Sequence, residues 1–393
     1  MKITSITTRV IKVPLHDRFG GQSTPPQTFP KSDYYFESEW SEVYSRNVES
    51  LFVRIDTDAG IHGWGESQSP IIPEVAQTII DRLLSPMLIG RDPIDTDRLF
   101  DLMYKSMSVR GHTTGFMLDA IAGMDIALWD IKGKAAGQPV ARLLEVTGES
   151  IRTRLPLYVS GLRAESIEGK AEFAADCFSA GYAAVKVFLG HGVEEDLALA
   201  RALRKRVGPE KRILADTLWS YSLPDALRLG KAFEDLGLEW IEAPVGVEDV
   251  SGHATLAQSL EIAVAAGEAL RSPHQFAHWI EKQAMDIVQP DVGRCGITGA
   301  QRIAALAHAS GLPVAFHVGV CLGVAMAATW QVAAATPGFH IQEHQPPPLE
   351  LSNRFLTTPL SVAEGEAIVP AQPGLGVDID LEALDRLSLS SGS

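Results

Sequence analysis

The sequence predicts a (β/α)8, TIM-like barrel with an α+β capping domain at its N-terminus that the C-terminal tail completes. Three observations lead there. Short β-branched apolar runs recur between residues 155 and 342, most of them separated by amphipathic stretches. Six of these runs close on a polar residue, in two sets of three spaced 26 residues apart. And 393 residues exceed the ~250 that a barrel alone requires.

Taken in order, residues 3 to 14 and 50 to 57 alternate polar and apolar side chains as strands do. Asp56-Thr57-Asp58-Ala59-Gly60 has turn composition ahead of a short strand at Ile61 to Trp64. Phe19 to Pro30 is polar, carries Gly and Pro, and reads as a long functional loop. Residues 72 to 90 and 93 to 105 read as helices, the second with Asp92 as N-cap and Pro93 at its first position. A further helix spans Gly115 to Ala136. Apolar runs then lie near 155–160, 183–187, 212–215, 239–241, 263–266, 286–289, 313–316 and 339–342. Glu195 to Val207, Pro224 to Leu236 and Thr298 to Ser310 are amphipathic helical stretches among them. The expected division is a capping domain over 1–125, a barrel over 126–355 and a tail over 356–393 that returns to the capping domain.

Composition narrows the function. Lys plus Arg total 34 against 49 Asp plus Glu, a net charge of −15, which argues against nucleic acid or an anionic membrane as partner. A small anionic substrate remains compatible where local cations or a metal reverse the field. Cys177, Cys295 and Cys321 are scattered and odd in number, so reduced thiols in a cytoplasmic protein are expected. The N-terminus lacks a signal peptide's apolar stretch, and no run of ~18 apolar residues exists to span a membrane.

The chemistry sits at the strand ends. Asp216, Glu242 and Glu268 close the third, fourth and fifth runs at intervals of 26 residues. Asp291, His317 and Glu343 close the sixth, seventh and eighth, again 26 apart. Active sites of such barrels lie at the C-terminal rim, where these residues converge. Three carboxylates without a thiolate suit a hard cation, Mg2+ before Mn2+, leaving positions for a substrate carboxylate. A single strand-end acid is usually just solvated; three in register favour a metal. Asp291 beside His317 suggests a dyad in which the carboxylate orients the imidazole as base. Glu343 is a candidate donor to developing charge if its pKa is raised, and a surface acid otherwise. His16, His62, His191, His253 and His344 lack such support and read as structural.

At these residues the chain resembles the enolase superfamily, in its mandelate racemase subgroup. The resemblance runs through Gly63-Trp64-Gly65-Glu66, the helix Met124 to Lys134, Trp240-Ile241-Glu242-Ala243-Pro244, Gly267-Glu268 and Gln289-Pro290-Asp291. It implies Asp216, Glu242 and Glu268 as Mg2+ ligands, Asp291–His317 as the base dyad, and Glu343 as the acid facing an enediolate. It also implies a capping domain that closes the barrel with 19–30 as specificity loop, and a homo-oligomer, dimer or octamer.

Departures from the pattern direct the reaction. Racemase-type relatives carry Lys-x-Lys on the second strand; here Lys186 matches the first lysine and Phe188 replaces the second. Side chains two apart on a strand face the same way, so Phe188 is expected where the opposing base would stand. Leu218 stands where a polar group often supports the metal, Gly296 is alone where relatives have two glycines, and Glu145 replaces a glycine. With one dyad left, the expected reaction is β-elimination of water from an aldonic or aldaric acid, an acid-sugar dehydration in carbohydrate acid catabolism. Lys186 would be an electrostatic partner of the substrate carboxylate. Alternatives are a racemase or epimerase, and a barrel that binds metal and ligand without turnover. Candidates for recognising the substrate are Arg18, Tyr34, Tyr158 and Arg294, with Tyr35 and Arg46 also in view.

Overall fold

Alternation of apolar and polar side chains makes β1 (Ile3–Pro14) the first strand of an antiparallel sheet. The computed structural model describes residues 1–14, 27–28, 32–37, 40, 42–145 and 150–389. Within them β2 (Gln27–Thr28), β3 (Tyr34–Glu37) and β4 (Glu42–Ser45) form a small antiparallel sheet of their own. Apart from β2, the expected loop of residues 19–30 lies outside the described residues, as do Arg18 and His16. β5 (Asn47–Thr57) pairs with β1 on one side and β6 (His62–Ser67) on the other, across a turn in which Gly60 takes a φ of 73°.

The helix Phe116–Ala136 lies on this sheet and buries nearly every position from Met117 to Ile131. Gly63 and Gly65 make that contact possible. A Cβ on Gly65 would lie 1.9 Å from the Gly123 carbonyl oxygen, and one on Gly63 2.2 Å from that of Ala127. Between them, Trp64 donates its backbone N–H to buried Asp130 and its indole N–H to Asp378 of the C-terminal tail, at 2.9 and 2.7 Å. Asp130 also accepts from Leu375 N at 2.9 Å, so one buried carboxylate ties strand, helix and tail together.

Two helical expectations shift. The stretch 72–90 is not one regular helix: a π-turn at Ile80–Leu84 separates Pro73–Ile79 from Ser85–Leu88. Pro86 explains this, because it has no N–H to continue the i→i−4 ladder. The next helix starts at Thr96 after Asp95, not at Pro93; Asp92 instead accepts from Ile94 N at 3.2 Å, holding a turn.

The second half is built on parallel pairing. β7 (Arg154–Ser160), β8 (Ala184–Phe188), β9 (Arg212–Asp216), β10 (Trp240–Glu242), β11 (Ala263–Ala266) and β12 (Ile287–Val288) lie side by side in chain order. β13 (Gln342–His344) pairs with β7. The result is a mixed α/β fold with a parallel sheet. Tyr158, Leu214, Trp240, Ile287, Ala315 and Ile341 are buried together as one of its apolar clusters.

The expected seventh strand, 313–316, is not a continuous strand: single parallel bridges join Val314 to Val288 and to Phe339, and Asp291 to His317. Pro313 and Pro290 have no N–H to donate, so a ladder cannot be sustained there. In the tail, β14 (Ser361–Ala363) and β15 (Glu366–Ile368) form a hairpin whose second strand pairs antiparallel with β7. Only beyond it does the chain reach Trp64, and Arg9 through Asp385.

At the N-terminal end of the parallel strands, Glu239 accepts from Arg212 at 2.5 and 2.7 Å and meets His340 at 2.7 Å, joining the entrances of β9, β10 and β13. Burial raises its pKa, but Arg212 and His340 win and bring it from 4.5 down to about 2. A depressed carboxylate stabilises the fold above its unfolded pKa and loses that effect as pH falls toward the folded value. Glu239→Gln is therefore expected to destabilise the protein by about 1–2 kcal/mol at pH 7, allowing for solvent screening. In urea denaturation the gap from wild type should shrink as pH falls below 4.5.

Candidate active site

Lys186 is the centre of the site. Its ammonium lies 2.7 Å from Glu242 Oε1 and 3.1 Å from both Asp216 Oδ2 and Glu343 Oε1, all four side chains being buried. Pairing in register puts them there: Glu242 stands opposite Asp216 on adjacent strands, and Asp216 opposite Phe188. Burial opposes charge on Lys186, yet Glu242 and Glu343 hold its ammonium well above the usual lysine range. Burial, together with crowding by the neighbouring carboxylates, raises Glu242 and Asp216. Three carboxyl groups thus crowd one lysine, and the raised values of Glu242 and Asp216 are the mark of that crowding.

The second cluster is the dyad. His317 Nδ1 lies 2.7 Å from Asp291 Oδ2, and Nε2 lies 2.7 Å from Glu268 Oε2 and 3.9 Å from Glu343 Oε2. Although burial disfavours its charge, Glu268, Glu343 and Asp291 hold the imidazole protonated, well above the ordinary histidine value. Glu343 is no surface acid: its side chain is 1% exposed and accepts from Val318 N at 2.8 Å. Burial raises its pKa, but Lys186 and His317 outweigh that and depress it, so Glu343 is a carboxylate here and does not meet the condition set for a proton donor.

Both clusters face a cavity of about 340 Å3 that Phe188 also lines. The Phe188 ring centroid is 5.8 Å from Lys186 Nζ. Leu218 lines the cavity too and, with Trp219 and Ala243, takes a left-handed φ, at 49°, 58° and 49°. These three strained non-glycine residues, within three positions of Asp216 or Glu242, cost about 1–3 kcal/mol each. Gly296, φ 72°, interrupts the helix Val292–Ala309, and a Cβ there would meet Asp125 Oδ2 at 2.7 Å.

Of the expected substrate-binding residues, Arg294 lines the cavity, donating to the Glu268 carbonyl at 2.8 Å. Tyr35 and Arg46 line it as well. Tyr34 does not: its hydroxyl is engaged with Glu49 at 3.1 Å and Lys12 at 3.3 Å. Nor does Tyr158, which is buried edge-on against Trp240 beneath the acids, at 5.6 Å between ring centroids. Its aromatic ring packs the sheet interior, which a tyrosine on an apolar strand does at least as readily as reaching substrate. His253, wedged against Trp279 at 4.7 Å, and His344, which burial pushes down to about 4, are packed histidines.

Residues the strand-end pattern does not reveal also reach the site. Trp219 donates its indole N–H to Glu268 at 3.2 Å, and Glu42 and Tyr44 of β4 and Gln68 after β6 line the cavity. These come from outside the parallel strands, so strand-end spacing carries no signal for them.

Residues 170–384 match the family described as enolase C-terminal domain-like. Residues 43–145 match the mandelate racemase / muconate lactonizing enzyme N-terminal domain. The chain belongs to the enolase superfamily. Its subgroup is that of mandelate racemase, and it is an enzyme. The D-galactarolactone cycloisomerase of Agrobacterium fabrum is 32% identical, covering 99% of each chain. The D-galactonate dehydratase of Variovorax paradoxus is 34% identical over 86% of this chain and 91% of that protein. A crystal structure of an enolase superfamily member from Agrobacterium tumefaciens matches at a TM-score of 0.93 and 32% identity, covering 98% of both chains.

The superfamily implies a divalent cation, and the donor set fits one. Asp216, Glu242 and Glu268 offer only oxygen, and their mutual crowding is the kind of charge excess a hard cation relieves. As oriented, no three His, Cys, Asp or Glu side chains among the described residues surround one ion position, because Lys186, Trp240 and His317 occupy their oxygens. Lys186 is therefore the cation on which the group rests. Lys186→Met in EDTA-treated protein is expected to lower unfolding free energy by about 3 kcal/mol or more in urea titrations, the cost of stranding a buried charge.

Proposed function

We propose that this protein is an acid-sugar dehydratase, a hydro-lyase that converts an aldonic or aldaric acid into a 2-keto-3-deoxy acid with Mg2+. The observation that carries the reading is the one-sided disposition of proton carriers: His317, backed by Asp291 at 2.7 Å, faces a cavity whose Lys186 side ends in Phe188. The architecture in this reading is a (β/α)8 barrel, supported by the bridges through Val314 that connect β12 toward β13, and by the β13–β7 pairing. Residues 1–125 would cap it and 356–393 return to that cap.

Asp216, Glu242 and Glu268 would hold the cation, which supplies Lewis-acid stabilisation of charge developing on the substrate carboxylate. With Glu268 turned to the cation, His317 would lose to solvent the proton that this carboxylate holds on Nε2 at 2.7 Å, and the neutral nitrogen takes the proton from C2. Asp291 keeps Nδ1 as the donor side and supports the imidazolium that forms. Lys186, held by Glu343, donates to the carboxylate oxygens as the C–H pair moves into the enediolate. That pair then forms the C2–C3 double bond while the C3–O bond breaks. His317 returns its proton to the departing oxygen, water leaves, and the enol tautomerises to the 2-keto acid. One base on one face suffices. Racemisation needs a second, and a phenyl ring at 188 cannot carry a proton.

A second reading draws on the cycloisomerase relative. The same proton abstraction serves an elimination in which the departing oxygen stays tethered to the product, giving isomerisation instead of loss of water.

A panel of C4 to C6 aldonic and aldaric acids and their lactones, assayed with Mg2+ for 2-keto acid, tests the proposal. At least one member should turn over, EDTA should abolish the activity, and Mg2+ should restore it. His317→Asn should lose about 10²–10⁴-fold in kcat. Full activity in that variant or after chelation defeats the mechanism. Inversion at C2 with solvent deuterium incorporation would instead establish an epimerase.

A further inference from the structure

Gln68 directly follows β6 of the N-terminal antiparallel sheet, is 1% exposed and reaches Asp291 across the site. With its amide nitrogen toward Asp291, Nε2 lies 2.7 Å from Oδ1 and 2.5 Å from Oδ2. The opposite orientation would set the amide oxygen against two carboxylate oxygens, so the nitrogen must face them. Its backbone N–H donates to the Gly293 carbonyl at 3.0 Å, fixing the chain from which the side chain extends.

The surrounding chain is shaped to admit this side chain. A Cβ on Gly319 would lie 1.8 Å from the end of the Gln68 amide, and one on Gly293 2.8 Å from Gln68 Cβ. Both glycines flank the dyad, two residues after Asp291 and two after His317. Neither has a φ in the left-handed region, so the space and not the backbone calls for glycine. Asp291 accepts further from Gly293 N at 2.8 Å and Gly319 N at 3.4 Å. Donors from both sides therefore fix the carboxylate plane, and Oδ2 stands at the His317 ring.

We propose that Gln68 is a positioning residue for the proton-transfer dyad: it clamps Asp291 so that Oδ2 stays aligned with His317 Nδ1, and it makes the dyad's geometry depend on the seating of the N-terminal sheet. The inference rests on the proposed role of His317 as base. It assigns Gln68 no contact with substrate, so substrate binding should be spared.

Gln68→Met preserves volume and removes the donor; Gly319→Ala keeps the glutamine but fills its space. Two readouts are used on the full-length protein. In 15N-histidine-labelled protein, the low-field Nδ1–H resonance of His317, assigned by its absence in His317→Asn, should be present in wild type and lost or shifted upfield in both variants. With D-galactonate and D-xylonate as probes, kcat should fall about 10- to 100-fold, with KM changed less than about twofold because binding is untouched. A wild-type resonance and kcat in Gln68→Met overturns the proposal. So does a rise in KM at constant kcat, which would make Gln68 a substrate contact. If neither probe turns over in wild type, the dehydratase reading is what fails for them, and the resonance alone decides whether Gln68 positions the dyad.

Discussion

One ammonium group holds the site together. Lys186 sits within 3.1 Å of Asp216, Glu242 and Glu343 in a place with almost no solvent. Moving any of these charges from water to such a site costs several kcal/mol before partners are counted. Mutual attraction recovers that cost only when all the groups are in place together. The arrangement is therefore a constraint on the parallel strands: a one-residue slip of β8 would replace Lys186 and Phe188 in the interior by Val185 and Val187, stranding the acids. Trp240 and Tyr158 close the space beneath, and the Trp240 indole also donates to Glu242 at 3.1 Å. An apolar floor keeps the dielectric low, which strengthens the pairing and raises the penalty for any imbalance.

The two ends of the same strands consequently do different work. At their beginnings, Glu239 finds an arginine and a histidine, and its charge is stabilised. At their ends, carboxylates outnumber cations, and the backbone leaves Asp216 and Glu242 through left-handed non-glycine residues. Such strain and crowding persist only where the rest of the molecule over-determines them. The packed helix Phe116–Ala136 and the Asp130 junction contribute to that surplus.

What could be read from the sequence follows from which forces are local. The 26-residue intervals located six strand-end side chains, because a βα unit of constant length returns to the same height; Asp216, Glu242, Lys186 and Glu343 do meet, and so do Asp291 and His317. The long apolar helix was legible from its composition. Less legible were features set by a missing N–H: Pro86 turns a regular helix into a π-turn, and Pro313 reduces a strand to single bridges. Tyr34 and Tyr158 looked like substrate contacts because a tyrosine's type says nothing about which way it faces. Gln68 was invisible for another reason. Its partner lies 223 residues away, and the only trace in the sequence is a pair of glycines, Gly293 and Gly319, whose need for space no local pattern signals.

The position with most leverage over the chemistry is Phe188. A second lysine there would stand beside Lys186 and its three acids, Asp216, Glu242 and Glu343, and in the proposed reaction would offer a base to the opposite face of C2. Phe188 offers none. It places an apolar ring on the Lys186 side of the cavity, so that in the proposed reaction His317 would be both the acceptor of the proton leaving the substrate and its donor on return. In the proposed reaction the aromatic ring therefore bears on the proton path alone: a one-faced path is enough for an elimination, whereas an inversion needs a proton carrier on the second face as well.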